Sequence, residues 1–263
     1  MKPIAKVYTA ILFLFLFAPI VIMLVFSFNS GNSLSVLSGF STYWYKELFH
    51  DANTLGALRN TLILALCAAI LSTIMGTAAA VGMNKLRSKY MKAAMNTVTN
   101  LPMVNPEIIT GISLMLMFVF AGRLMGMATS LNFGTILIAH ITFCLPYVIL
   151  QVLPKLRQMD RNLIDAAQDL GCTWMQAFWR VVIPEIRPGI VSGALTAFTM
   201  SVDDFIISYF TAGTSSSTLA MTIYGMTKKR VSPEINAIST LLFVTVLVLL
   251  AVLNLRESRA DHR

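Results

Sequence analysis

The chain has 263 residues, of which 56% are hydrophobic and 12% charged, and its mean hydropathy is +0.73. Soluble domains carry roughly 25% charged residues, so this composition excludes an ordinary soluble domain and points to a polytopic membrane protein. The formal net charge of +8 would suit nucleic acid, but the basic residues flank apolar runs instead of lining a soluble face, which excludes that class of partner.

Residues 7–28 form the first apolar run, about 22 residues and long enough to cross a hydrocarbon core about 30 Å thick. Lys2 and Lys6 precede it as in a signal peptide. The run exceeds the roughly 7–15-residue core of such peptides and lacks an Ala-x-Ala ending, so it reads as a retained span. Residues 29–59 are polar and aromatic, with Trp44 between Tyr43 and Tyr45, which suits an interfacial segment. A second span at 60–83 is rich in small residues that permit close helix contacts. The third, near 93–120, contains Pro102 and Pro106 beside Asn105 and Glu107. Two prolines remove two backbone donors and predict a broken helix, whose break must face protein or water. A fourth span at 133–153 holds His140 and Pro146.

The stretch 154–188 is a polar loop. Its apolar residues recur at helical spacing on both sides of Gly171, which predicts two short amphipathic helices joined at that glycine. The fifth span, 189–209, places Ser192, Thr196, Thr199 and Asp203 on one face, with Asp204 about 100° around on the line of Gly193, Ala197 and Ser208. The sixth is 235–255. With the N-terminus inside, fourteen of the 20 Lys and Arg fall on cytoplasmic segments, so both termini and the polar loop are expected in the cytoplasm.

Glu107, Asp203 and Asp204 lie within expected spans. Carboxylates are expensive in lipid, so these are candidates to face a solute path, where they would attract a cation; the alternative is pairing with buried donors. Trp44, Tyr147 and Tyr209 are aromatic faces that an alkyl-ammonium could stack on. His140 lacks a second ligand at metal-binding spacing and reads as a structural hydrogen-bonding group. No Gly-rich phosphate loop is present, so the chain does not bind ATP in that way, and no catalytic triad or metal signature supports hydrolysis. The six spans carry no convincing internal repeat, so they fit one half of a two-subunit path better than a complete secondary transporter.

Within the polar loop, Asp165-Ala166-Ala167 is followed after three residues by Gly171, and after nine more by Val181-Val182-Ile183-Pro184. This resembles the Glu-Ala-Ala loop of permease subunits of binding-protein-dependent ABC importers, with Asp165, Val181 and Ile183 as mild departures. Residues 26–30, 140–146, 166–171, 201–204 and 231–237 are similar to the spermidine/putrescine subgroup. The resemblance implies an all-α polytopic fold of the type I ABC importer kind, a single permease domain over 1–263 with six transmembrane helices, and a cytoplasmic coupling loop at 154–188. It implies a bacterial inner-membrane location and no catalysis in this chain. It also implies a second homologous permease subunit, two copies of an ATPase subunit and a periplasmic polyamine-binding protein. No cofactor would be bound directly, ATP being used by the partners. Asp165, Ala166, Ala167, Gly171 and Pro184 would carry ATPase coupling. Three other readings stay open at this point: a permease of the same architecture for an organophosphonate or amino acid derivative, a proton-coupled secondary transporter, and a non-transporting scaffold.

Overall fold

The computed structural model describes residues 3–31, 36–127, 131–160, 162–214, 216–229 and 233–261, with no side-chain description for 3–5, 229, 249–250 and 252–261. In chain order the helices are α1 (Pro3–Phe26), α2 (Tyr43–His50), α3 (Ala52–Lys85), α4 (Lys89–Val104), α5 (Glu107–Leu124), α6 (Phe133–Gln158), α7 (Asn162–Asp169) and α8 (Trp174–Ala177). A π-helical turn at Phe178–Val182 leads into α9 (Ile183–Glu185), followed by α10 (Arg187–Asp203), α11 (Ile206–Thr211), α12 (Leu219–Lys229) and α13 (Glu234–Asp261).

Among the described residues four helices are long and apolar enough to cross a membrane: Lys6–Phe26 of α1, then α3, α5 and α6. A fifth crossing exists if Trp174–Glu185 and Arg187–Asp203, bent by 66°, count as one span. The fold is therefore all-α and polytopic, with four or five such helices among the described residues. Of the expected span 235–255, the described apolar part runs only over Glu234–Val248, and residues 249–250 and 252–255 lie outside the described side chains.

The expected third span is two helices. Asn105 is extended (φ −73°, ψ 136°), as steric clash with the following proline ring requires, and the chain restarts at Glu107. Pro102 sits inside α4 without ending it. The expected fifth span also breaks, between α10 and α11, where no proline or glycine announces it.

The backbone clusters into two units, Met1–Ala57 with Thr222–Leu253, and Leu58–Met221 with Asn254–Arg263. In the first, buried Asn29 organises the chain between α1 and α2. Its amide donates to the Val36 carbonyl at 2.9 Å, its Oδ1 accepts from Ser38 N–H at 2.8 Å, and its own carbonyl accepts from the Trp44 indole at 2.9 Å.

In the second unit α10 packs along α6 through Gly189, Gly193 and Ala197. A Cβ added at Gly189 would lie 2.9 Å from the Gln151 carbonyl oxygen and 2.8 Å from Lys155 Cγ, and one at Gly193 would lie 3.3 Å from Val148 Cγ1. The Cys144 thiol reaches the Ala197 carbonyl at 3.4 Å. Absence of side chains thus lets the two backbones approach. Gly189→Val is expected to lower stability by about 1–3 kcal/mol through overpacking, seen as a drop in Tm of the detergent-purified protein. Gly82→Ala, where nothing lies within 4 Å, is the matched control and should cause no drop.

Candidate functional site

The polar loop folds as a helix, a glycine turn and a second helical segment. Asp160 Oδ1 accepts the Asn162 N–H at 3.0 Å and starts α7, whose first turn carries Asp165, a favourable place for a negative charge beside the helix N-terminus. At the other end Cys172 N–H bonds the Ala167 carbonyl at 3.1 Å and Gly171 N–H bonds the Gln168 carbonyl at 2.9 Å. That crossed pair is a Schellman cap, which needs a left-handed residue between helix and exit. Gly171 supplies it, with φ +87°. Thr173 then opens α8 by a reciprocal capping box with Gln176.

Asp165, Ala166 and Gly171 are exposed and Ala167 is half-buried. Leu170 is 87% exposed, so α7 shows an apolar residue at its tip. The exposed Pro184 lies in α9 before the 66° bend into α10. Lys85, at the end of α3, holds its ammonium 3.4 Å from the Trp174 ring centroid, and Trp174 stacks on Phe178 at 5.5 Å. Behind α7 a cavity of 510 Å³ is bordered by Asp165, Lys85, Arg87, Lys92 and Trp174. The structure thus brings together four of the sequence-selected residues in one short segment, Asp165, Ala166 and Ala167 on α7 and Gly171 in the turn that closes it. The Lys85–Trp174 contact was not visible in the sequence, because the partners are 89 positions apart.

A second cleft, of 300 Å³, is lined by Glu107, Thr199, Met200, Asp203, Asp204 and Phe205 among others. All three sequence-selected carboxylates meet there. Glu107 is not in mid-helix; it is exposed in the first turn of α5. Thr199 and Thr196 of the polar stripe bond the Leu195 and Ser192 carbonyls of their own helix at 2.9 Å, leaving Asp203 as the charged group of that face.

Asp203 and Asp204, adjacent in sequence, have different surroundings. Asp203 is exposed. Asp204 is 7% exposed and accepts the main-chain N–H groups of Ile207 at 3.2 Å and Ser208 at 2.8 Å, satisfying donors that the α10–α11 break leaves free. His140 of α6 lies between Ser201 Oγ (2.7 Å from Nδ1) and Ser208 Oγ (2.9 Å from Nε2), with Asp204 Oδ2 at 3.4 Å from Nε2. His140 is therefore a fully buried hydrogen-bonding group. Among the described residues no cluster could hold a metal ion. Tyr209 is 52% exposed and packs against Phe205 and Phe210, and Tyr147 meets Phe143 edge to face.

The model for binding-protein-dependent transport system inner membrane components matches residues 72–256, a span that contains both the coupling-type loop and the acidic cleft. The chain belongs to this family. It is a close relative of the putrescine permease PotI of Escherichia coli (40% identical over 89% of this chain and 83% of PotI). It is also related to the spermidine/putrescine permease PotC of Haemophilus influenzae (32% identical over 96% of this chain and 95% of PotC). The fold matches a bacterial ABC transporter that imports alginate, with a TM-score of 0.77 at 16% identity over 97% of this chain and 94% of that one. It also matches the MetNI methionine ABC transporter, with a TM-score of 0.64 at 18% identity over 84% and 98%. The protein is thus a non-catalytic membrane permease subunit of an ABC-type importer.

Proposed function

We propose that this permease forms half of the membrane path for spermidine and putrescine, delivered by a periplasmic binding protein, as a single permease domain over 1–263 with six transmembrane helices. It pairs with a second homologous permease, and two copies of an ATPase drive alternating access through the loop 154–188. In this reading Asp165, Ala166, Ala167, Gly171 and Pro184 form the contact with the ATPase, and Asp203, Asp204 and Glu107 make the path negative. The observation that carries the solute class is the acidic cleft, in which Asp203 and Glu107 stay exposed at the ends of two different helices. The kinship with PotI and PotC supports it. A polyamine carries two or three positive charges on a flexible apolar chain. Modest negative potential with retained hydration attracts it without the desolvation penalty that would stall it.

The test is uptake of radiolabelled putrescine and spermidine by proteoliposomes holding the four-subunit complex, with binding protein outside and ATP inside. ATP-dependent accumulation that vanishes without this chain is the expected result. ATP hydrolysis by an assembled complex that moves no polyamine would remove the solute assignment and leave the permease.

A further inference from the structure

The buried His140 network does something the acidic cleft itself cannot do. Of two adjacent aspartates, Asp203 ends α10 and Asp204 opens the break before α11, and either could in principle cap the free donors of α11 while the other faced the cleft. We propose that His140 is a positioning residue that fixes this choice: it holds Asp204 inward so that Asp203 is the carboxylate presented to the solute. The inference rests on the cleft reading above, and it adds the residue that sets the cleft's geometry.

Three contacts carry it. His140 Nδ1 meets Ser201 in the last turn of α10, and Nε2 meets Ser208 in α11, so one imidazole on α6 ties down both sides of the break. Ser208 Oγ donates to the Asp204 main-chain carbonyl at 3.3 Å, which leaves its lone pairs for the Nε2 hydrogen; Ser201 then donates to Nδ1. The same Nε2 faces Asp204 Oδ2 at 3.4 Å, so the carboxylate that caps α11 has a polar neighbour on its inner side. A buried carboxylate without such a neighbour would be costly. Without the imidazole, Asp204 keeps its two main-chain bonds to α11 but loses the polar neighbour that ties it to α6, and the short break between Asp203 and Ile206 is freer to turn. Asp203 makes no ion pair among the described residues.

Two readouts separate positioning from general support of the fold. The first is a cycle of uptake KM values for putrescine in the four-subunit complex. His140→Ala should raise KM about tenfold on its own and little further in an Asp203→Asn background, the non-additivity expected when one residue acts through another. An equal rise in both backgrounds overturns the proposal. The second is independent of any solute. With Cys67 and Cys172 replaced by Ala, a cysteine introduced by Asp203→Cys is labelled with a membrane-impermeant cationic thiol reagent. Labelling should slow severalfold when His140→Ala is added, and an unchanged rate overturns the proposal. If His140→Ala fails to assemble, His140→Gln, which keeps one of the two serine contacts, gives the same two readouts with smaller shifts. Should the complex carry no polyamine at all, the labelling rate still decides the role of His140.

Discussion

Asp203→Asn is expected to lower polyamine uptake about tenfold, equivalent to about 1.4 kcal/mol, while the complex assembles and still hydrolyses ATP. The substitution keeps size and removes charge. Because Asp203 is exposed at the cleft and makes no ion pair among the described residues, no folded-state partner is orphaned. What is lost is attraction for a cation entering from the aqueous side, so the deficit should lie in the concentration dependence of uptake, and Asp203→Glu should restore most of it. The neighbouring Asp204→Asn is a useful contrast. Asp204 caps two backbone donors and faces His140, so its loss should first show as lower yield of assembled protein. Full uptake by a well-assembled Asp203→Asn complex would remove Asp203 from the path.

The second large effect belongs to Gly171. Its φ of +87° is a left-handed conformation that costs an ordinary side chain roughly 1–2 kcal/mol, and more for a β-branched one. Space is not the constraint within this chain, since a Cβ there meets nothing within 4 Å. Gly171→Val should therefore undo the Schellman cap at the end of α7 and tilt Asp165, Ala166 and Leu170 away from their present surface. The expected phenotype is loss of coupling: uptake near background, with ATP hydrolysis persisting and no longer stimulated by loaded binding protein. Gly171→Asn, which tolerates the left-handed region, should retain a substantial part of both activities. Solute moved per ATP hydrolysed is the quantity to measure, and a normal ratio for Gly171→Val would sink this role for the turn.

Much of this was legible in the sequence. Apolar runs located α1, α3 and α6, because hydrocarbon-crossing length is a composition signal. Pro102 and Pro106 announced a broken helix, of which only Pro106 marks the break before α5, and Gly171 announced the turn after α7. The α10–α11 break was missed because a polar stripe of Ser192, Thr196 and Thr199 at helical spacing continues smoothly into Asp203, and periodicity reports the helix but not its end. A signal was present: Asp204, four residues before Ser208, is the kind of side chain that caps a new helix. The helix α2 was read only as an interfacial aromatic stretch, since eight residues are too few for periodicity to separate helix from loop. The His140 network joins α6 to residues 61 and 68 positions later, and no local pattern encodes such a meeting.

The seam between α6 and α10 has a mechanical meaning. The helix α10 begins at the 66° bend where the polar loop ends and stops at Asp203, so its 17 residues, about 25 Å of α-helix, reach from one candidate site to the other. Its only proline is Pro188, in the first turn, and its glycines at 189 and 193 are braced by the Gln151 carbonyl, Lys155 and Val148 of α6. Within α10 nothing past that first turn interrupts the helix, while α6 carries Pro146 and Pro154 inside its length. In the proposed coupling, a displacement of the loop would reach the acidic end along α10, and the break after Asp203 is the first interruption of that helix.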